Sequence, residues 1–355
     1  RYNRCVESAK SMGQRGFWDE EQRIHKLHQK NPTLTALSEA IPWDSFRPLI
    51  EQGYCSERKN NAGRKRIDPI ILFRMLMLQQ LFNLSDEALE FQVNDRRSFE
   101  EFVGLGVMDT IPDATTVAFF RERLRNAGVI EELFDCFEQH LRAQGLEARG
   151  GQIIDATLVP VPKQRNTRAE NQVIKQGEVP EDWHDKPNRL QQKDLDARWV
   201  RKNGVSHYGY KNSICIDAEH GFIRRYVVTP ANIHDSQMIA ALLDPENSVD
   251  IVWADSGYAG RQFEELLATA GIESQIHERG TRNRPLDEDA QARNKVKSKI
   301  RARVEHVFGQ MQVSMCGKLT RRIGLARTNA WWGLRNLTFN FMRFCQKQRV
   351  CAVAG

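Results

Sequence analysis

Two short apolar runs in this chain each lead into an aspartate. Ile153 and Ile154 precede Asp155, and residues 251–253 lie just before Asp255. Runs of this length that are rich in β-branched residues and bounded by glycine are typical of buried strands. A carboxylate at the end of a buried strand is costly unless it binds a partner. We therefore expect a sheet whose strand ends carry a functional acidic site.

A third acidic residue, Glu305, lies in a segment with the periodicity of a helix. Its apolar neighbours recur at the spacing of one helix face, namely Val304, Val307, Phe308 and Met311. Two strands and one helix could thus gather Asp155, Asp255 and Glu305 at a single site.

Three carboxylates suit particular metal ions. A set of oxygen ligands without His or Cys favours Mg²⁺, with Mn²⁺ as a substitute, over zinc. Two such ions about 4 Å apart activate the attacking oxygen and stabilise the leaving one when a phosphodiester is broken. Asp155, Asp255 and Glu305 are therefore the candidate catalytic residues and metal ligands for two Mg²⁺ ions.

Each acidic residue also has a local structural interpretation. The two aspartates could close turns, and Glu305 could simply pair with Arg301 one helical turn earlier. The order of the three predicted elements favours a joint role instead. Arg301 then becomes a candidate catalytic residue that orients Glu305 or holds a phosphate.

The charge distribution indicates a polyanionic partner. Residues 279–335 contain 14 Lys or Arg and 4 Asp or Glu. Such density beside Glu305 favours DNA, although a solvated helix face explains a charge run about as well. The candidate DNA-binding residues of this segment are Lys297, Lys299, Arg303, Lys318, Arg321 and Arg322.

The seven cysteines are scattered and form no C-x-x-C pair, which argues against a disulfide framework or a zinc site. No apolar run reaches the length of a membrane span, and the first residues lack the apolar core of a signal peptide. We expect a cytoplasmic, nucleoid-associated protein without membrane contact.

Residues 1–148 carry helical signals and are predicted to form an all-α N-terminal domain. Asp68 and Pro69 fit the start of a helix that Asn83 would end, and Ser85 would start the next. Further helices are predicted over 98–103, 115–124 and 130–141. The domain would bind DNA or dimerise, and its candidate DNA-binding residues are Arg64, Lys65 and Arg66.

Residues 149–350 carry the signals of a second domain. Strands are predicted over 152–161, 206–217, 222–228, 249–254 and 272–277, with helices over 236–243 and 263–270. Residues 163–204 are polar and are predicted to be an insertion or a mobile loop. The element order is that of ribonuclease H. The predicted fold class is therefore α+β overall, with a ribonuclease H-like α/β catalytic domain built on a mixed five-stranded sheet.

Other candidates depend on single features. His207 and Lys211 share one strand face and could approach a phosphate, although a partly buried sheet face explains them almost as well. His234 and Asp235 could lie near the metals, or Asp235 could cap the helix that follows.

The tryptophans divide into two pairs. Trp183 and Trp199 lie in the polar segment, where no core is evident, and could stack on an unpaired or flipped base. Trp331 and Trp332 lie in an aromatic C-terminal helix, where core packing is the better interpretation.

Several motifs occur together in one order. The first part of the chain contains IPWDSF, GRKRIDPIILFRMLMLQQLFNLSDEALE and IPDATTVAFFRERL, and the second contains IIDATLV, HYGYKNSICID, TPANIHD, WADSGYAG and KIRARVEHVFGQ. With these motifs the chain resembles bacterial insertion-sequence transposases of the DDE type, most of all the group named for insertion sequence five. The resemblance implies that Asp155, Asp255 and Glu305 are the metal-binding triad, with Arg301 in an R-x-x-x-E pattern.

The resemblance also implies a function. Such an enzyme binds the terminal inverted repeats of its element, forms a homodimer that pairs two ends, cleaves double-stranded DNA and joins it to target DNA. An inactive DNA-binding descendant and a metal-dependent nuclease of the same fold are the alternatives. The chain departs from broader relatives at Ser298, where they carry Tyr, and at Gln312, where they carry Lys or Arg.

Overall fold

The computed structural model describes residues 19–30, 32–54, 66–106, 108–202, 204–280 and 285–354. Within these ranges, the helices that precede the first strand are α1 (Asp19–Lys30), α2 (Pro32–Ala40), α3 (Arg47–Tyr54), α4 (Pro69–Phe82), α5 (Asp86–Asp95), α6 (Arg97–Val103), α7 (Ala114–Asn126) and α8 (Val129–Ala143). The helical N-terminal region predicted from the sequence is thus confirmed.

Local capping sets the limits of α4 and α5. The Asp68 carboxylate accepts a hydrogen bond from the Ile70 N–H at 2.8 Å, and Asn83 ends α4 in the left-handed region at φ 49°. The Ser85 hydroxyl accepts from the Ala88 N–H at 3.1 Å and starts α5. These caps satisfy N–H groups that a helix terminus otherwise leaves unpaired, so the predicted boundaries are confirmed.

A mixed sheet follows. Its strands among the described residues are β1 (Gln152–Pro160), β2 (Arg198–Lys202), β3 (Val205–Asp217), β4 (Ile223–Pro230), β5 (Ile251–Trp253) and β6 (Glu273–Ser274). β3 pairs antiparallel with β1, β2 and β4, whereas β1 pairs parallel with β5, and β5 parallel with β6. The order β4-β3-β1-β5-β6 is that of the ribonuclease H-like fold, so the predicted fold class is confirmed.

The predicted number of strands is wrong because β2 adds a sixth strand to the sheet. β2 comes from residues 163–204, which were predicted to be an insertion or a mobile loop. The same segment forms the short helices α9 (Arg168–Lys175), α10 (Glu181–His184) and α11 (Pro187–Gln191).

The buried side chain of Trp183 explains why this segment forms regular structure. Its ring is fully buried, its Nε1–H donates to Glu170 Oε1 at 2.9 Å, and the Arg189 guanidinium lies 5.2 Å from the ring centroid. Glu170 also forms a capping box with Thr167 at the start of α9. The prediction that Trp183 stacks on a base is therefore wrong, since a fully buried ring presents no face to DNA.

The remaining helices are α12 (Ile239–Leu242), α13 (Arg261–Thr269), α14 (Glu288–Val313) and α15 (Leu325–Ala354). α15 packs against α2, α4, α8 and β4, so one hydrophobic core runs from the helical region to the sheet. Trp331 and Trp332 are buried in this core, as predicted. No helix in the described part of the chain is long and apolar enough to cross a membrane.

Arg335 of α15 is almost fully buried and joins three parts of the structure. Its guanidinium donates to the carbonyl oxygens of Gln80 in α4 at 3.0 Å, of Met311 in α14 at 3.2 Å, and of Met315 at 2.7 Å. It also donates to Gly317 O. Burial lowers the pKa of Arg335 to about 10. Arg335 thus satisfies carbonyl groups that the end of α14 would otherwise leave unpaired.

We expect Arg335→Ala to lower the free energy of unfolding by about 3 kcal/mol or more, because several buried carbonyl groups would lose their donor together. The midpoint of thermal unfolding measures the effect. Arg327→Ala, at a half-exposed position of the same helix, is the control and should change stability by less than about 1 kcal/mol. Equal losses in the two variants would contradict this account of Arg335.

Candidate active site

The pairing of β1 with β5 places Asp155 and Asp255 side by side. Ile153 is opposite Trp253 in the parallel register, and each aspartate follows two residues later. Neighbouring strands lie about 4.8 Å apart. The fold therefore brings together two carboxylates that are 100 positions apart in the sequence.

Gly151, one residue before β1, permits this close pairing. Its backbone has φ +89°, and a Cβ atom there would lie 2.4 Å from the Trp253 ring and 2.9 Å from the Ile251 carbonyl oxygen. Asn247 fixes the same residue from the other side, since its side chain exchanges two hydrogen bonds of 3.0 Å with the Gly151 backbone. Only glycine fits here without displacing β5.

Asp155 occupies an unfavourable environment for an ionised carboxylate. Its side chain is 16 % exposed. Burial raises the pKa of Asp155 to about 6, and the negative charge of Asp255 acts in the same direction. The Ala156 N–H, at 2.8 Å from Asp155 Oδ1, and the Arg301 guanidinium oppose that shift. A nearby cation therefore stabilises the ionised form of Asp155 at neutral pH.

Asp255 caps the short turn Ser256–Tyr258. Its Oδ1 accepts from the Gly257 N–H at 2.8 Å, which is the Asx turn expected as the alternative structural role. The turn fixes the direction of the carboxylate next to Asp155.

Helix α14 brings Arg301 and Glu305 to the same place. Its apolar face packs against β1 and β5, and the predicted core positions Val304, Val307, Phe308 and Met311 are all buried. Arg301 Nη1 donates to Asp155 Oδ2 at 3.0 Å, and Nη2 makes a close contact with Glu305 Oε1. The Arg301 guanidinium therefore lies between two of the three candidate ligands.

The three candidate ligands do not form one cluster among the described residues. Among the described residues, no group of three or more His, Cys, Asp or Glu side chains is close enough to hold a metal ion. Asp155 and Asp255 are adjacent, whereas Glu305 is 52 % exposed and reaches Asp155 through Arg301. The chemistry of the donors fits a hard divalent cation, and their charge is partly neutralised by Arg301.

Two further residues of the site were missed from the sequence. Tyr258 is fully buried, and its hydroxyl has no hydrogen-bond partner. Burial raises its pKa well above the usual value, and Asp155, Asp235 and Asp255 add to this effect. Its place in WADSGYAG, three residues after Asp255, is the signal that could have identified it.

His277 is the second missed residue. Its backbone N–H donates to Ala254 O at 3.1 Å, and its Nε2 lies 3.3 Å from the Ser298 hydroxyl. Burial lowers the pKa of His277, and the positive charges of Arg301 and Lys297 lower it further. Ser298, the position where relatives carry Tyr, thus contacts a histidine of the neighbouring segment.

Two candidate residues, Lys211 of β3 and Asp235, which follows β4, form an ion pair. Lys211 Nζ donates to Asp235 Oδ1 and to Ile233 O, both at 2.7 Å. His234, not Asp235, caps the turn that follows, because its ring nitrogen accepts from the Ser236 N–H at 3.4 Å. The expected capping role of Asp235 is therefore wrong, since its carboxylate binds Lys211.

Several candidate DNA-binding residues have partners within the protein. Lys297 donates to Ile276 O, Arg303 to Ala218 O, and Lys318 to the Thr157 hydroxyl. Lys299, Arg321 and Arg66 are exposed. Arg64 and Lys65 lie outside the described residues.

Arg322 is the candidate most firmly held by the fold. Its guanidinium donates twice to Asp86 at 3.2 Å, and Arg121 donates to the same carboxylate at 2.8 and 2.9 Å. Burial alone would raise the pKa of Asp86, but the two arginines outweigh it and hold that pKa well below the usual range. Arg322 thus ties the segment after α14 to α5.

A groove of about 770 Å³ begins next to Asp155. Its described lining contains no acidic side chain, and its basic residues are Lys163, Lys202, His207 and Lys318. Ala156 and Thr157 belong to the lining, so one end of the groove lies beside Asp155. The positive charge of Lys202 lowers the pKa of this carboxyl group.

Trp199 lies beside this groove, next to the lining residues Tyr208 and Lys163. Its ring is 46 % exposed, packs 5.1 Å from the Tyr208 ring, and has Lys163 Nζ at 5.7 Å from its centroid. An exposed aromatic ring beside lysines is suited to stack on a base. Of the two tryptophans proposed for this role, only Trp199 is accessible.

Comparisons with known proteins bear on both halves of the chain. A family model described as transposase DDE domain matches residues 146–341, and a second model, described as transposase domain, matches residues 22–123. Among solved structures, the chain is similar to a piggyBac transposase synaptic complex with hairpin DNA. The identity is 11 %, the match covers 90 % of this chain and 75 % of that chain, and the TM-score is 0.46.

We expect Asp86→Asn to lower the free energy of unfolding at pH 7 by about 3 kcal/mol, because two buried guanidinium groups would lose their counter-charge. The depressed pKa means that this stabilisation is present above the usual Asp pKa and is lost as pH falls below about 4. Thermal unfolding of both proteins between pH 3 and pH 8 measures the difference. The exposed Glu87→Gln is the control. A pH-independent difference would contradict the ionic role of Asp86.

Proposed function

Because this chain belongs to the family of DDE-domain transposases, we propose that it cuts DNA at the terminal inverted repeats of its insertion sequence and joins the freed 3′ ends to target DNA. It is a DNA transposase, an enzyme of the polynucleotidyl transferase and endonuclease class. Membership of the group named for insertion sequence five stays a prediction. The observation that carries the proposal is the parallel register that sets Asp155 beside Asp255.

Asp155, Asp255 and Glu305 are the residues we assign to the divalent cations. Mg²⁺ or Mn²⁺, when bound, supplies activation of the attacking oxygen and stabilisation of the leaving 3′ oxygen. The protein contributes a pair of aspartates on neighbouring strands and a half-exposed glutamate side chain on α14. Arg301 neutralises part of the charge of this cluster.

The groove beside Asp155 supports a route for the DNA strand. Lys163, Lys202 and Lys318 provide positive charge along it. Trp199, which packs against the lining residue Tyr208, provides an exposed stacking surface beside it. A basic groove with an exposed aromatic ring is the usual combination for unpaired nucleic acid, because phosphates and base faces are both contacted. We assign this groove to the strand adjacent to the reactive phosphate.

Joining two transposon ends requires two active sites, and we therefore assign a homodimer to the DNA complex. In this proposal residues 1–148 bind DNA or dimerise, and residues 149–350 carry out catalysis. The basic segments that contain Lys299 and Arg321, both exposed, are available to the DNA duplex.

Asp155→Asn, Asp255→Asn and Glu305→Gln should each lower Mg²⁺-dependent cleavage and strand transfer by a hundredfold or more, on the order expected for losing a group that stabilises the transition state. Cleavage and joining of labelled DNA that carries the ends of the element are the measurements. Asp250→Asn, an exposed aspartate five residues before Asp255, is the control. Full activity of Asp255→Asn would refute the assignment. Cleavage without joining would identify a nuclease instead.

Lys163→Ala and Lys202→Ala should each weaken binding of a single-stranded oligonucleotide and reduce the salt dependence of log K by about 0.7, the value for one phosphate contact on a single strand. Fluorescence anisotropy at several salt concentrations measures this. Lys175→Ala, an exposed lysine of the same inserted segment, is the control. Trp199→Ala should also weaken binding, but without changing the salt slope. Unchanged affinity in all three groove variants would exclude this route.

A further inference from the structure

Arg301 and Arg335 are both largely buried, but their guanidinium groups contact different kinds of partner. Arg335 gives its guanidinium to backbone carbonyls that need a donor, which is a structural role. Arg301 instead contacts Asp155 and Glu305, two assigned metal ligands. The buried Nε atoms of Arg301 and Arg335 alike have no hydrogen-bond partner, so the two residues differ in the groups that their Nη atoms contact.

The atoms that Arg301 contacts are those a metal ion would need. Nη1 binds Asp155 Oδ2 at 3.0 Å, and Nη2 binds Glu305 Oε1. Two cations cannot approach the same carboxylate oxygens without strong repulsion at the short distances of a partly buried site. Contact with Arg301 and coordination of a metal ion by these oxygens are therefore competing states.

We propose that Arg301 is the counter-ion of the metal-free active site, and that Arg301 and a divalent cation bind Asp155 and Glu305 alternately. This inference rests on the assignment of these carboxylates to the metal under the proposed function. Arg301 keeps the acidic cluster stable before the cation arrives. It also weakens cation binding, because its bonds to Asp155 and Glu305 must break first.

The direction of the expected effect distinguishes this role from an organising one. If Arg301 competes, then its removal makes the carboxylates available and increases metal affinity. If Arg301 only orients Asp155 and Glu305 for the metal, then its removal lowers that affinity. The same substitution is expected to impair catalysis in either case, so activity alone does not separate the two roles.

The test is a calorimetric titration of Mn²⁺ into the DNA-free full chain. Arg301→Gln should bind Mn²⁺ about tenfold more tightly than the unsubstituted protein, or better, since a unit charge is removed at contact distance. Lys295→Gln removes the same charge from an exposed position of α14 and should leave the affinity within about twofold. An unchanged or lower affinity in Arg301→Gln would overturn the proposal.

Two additional variants make the outcome unambiguous. Asp255→Asn should strongly weaken Mn²⁺ binding, and if it does not, the metal assignment itself has failed rather than the role of Arg301. Arg301→Lys serves if Arg301→Gln does not fold. A lysine cannot contact both carboxylates as a planar guanidinium does, so a smaller gain in affinity is expected, and no gain would overturn the proposal.

Discussion

The parallel pairing of β1 with β5 is the interaction on which the rest of the active site depends. Hydrophobic residues of these strands bury themselves on both faces of the sheet, and this burial stabilises the pairing. The same register forces Asp155 and Asp255 together in a poorly hydrated place. Folding therefore creates an excess of negative charge, and Arg301, Lys202 and Lys318 are the cations that surround it.

The helical region and the sheet are connected through charged side chains as well as through a common core. Arg224 of β4 binds both Asp217 and Glu138, which belongs to α8. Arg322 connects the segment after α14 to Asp86, and Arg335 connects the end of α14 to α4. The C-terminal end of the helix that carries Glu305 is thus held against the helical region.

The helix ends and strands that depend on residues close together in the sequence were predicted from it. Asp68, Asn83 and Ser85 set helix ends through their own backbone neighbours, and the β-branched runs identified the central strands. The regular spacing of apolar residues in α14 likewise identified its buried face.

Features that depend on distant partners were not predictable in this way. The buried state of Trp183 arises from polar partners in helices too short to show a periodic pattern. Arg322 was interpreted as a DNA contact because its partner, Asp86, lies 236 positions earlier and the sequence gives no sign of their pairing. For the same reason the contact of Arg301 with Asp155, across 146 positions, could not be read from the R-x-x-x-E pattern.

Gly151 shows how far the requirements of catalysis extend beyond the reacting groups. It has no side chain and takes no part in chemistry, yet its backbone conformation allows the Trp253 ring to lie against it. The close pairing of the strands that carry Asp155 and Asp255 thus depends on the lack of a Cβ atom at residue 151. A variant with a larger residue there would retain every ligand and every basic contact, but its defect would resemble the loss of an aspartate. Inactive natural copies of such a chain need not carry any change in their acidic residues.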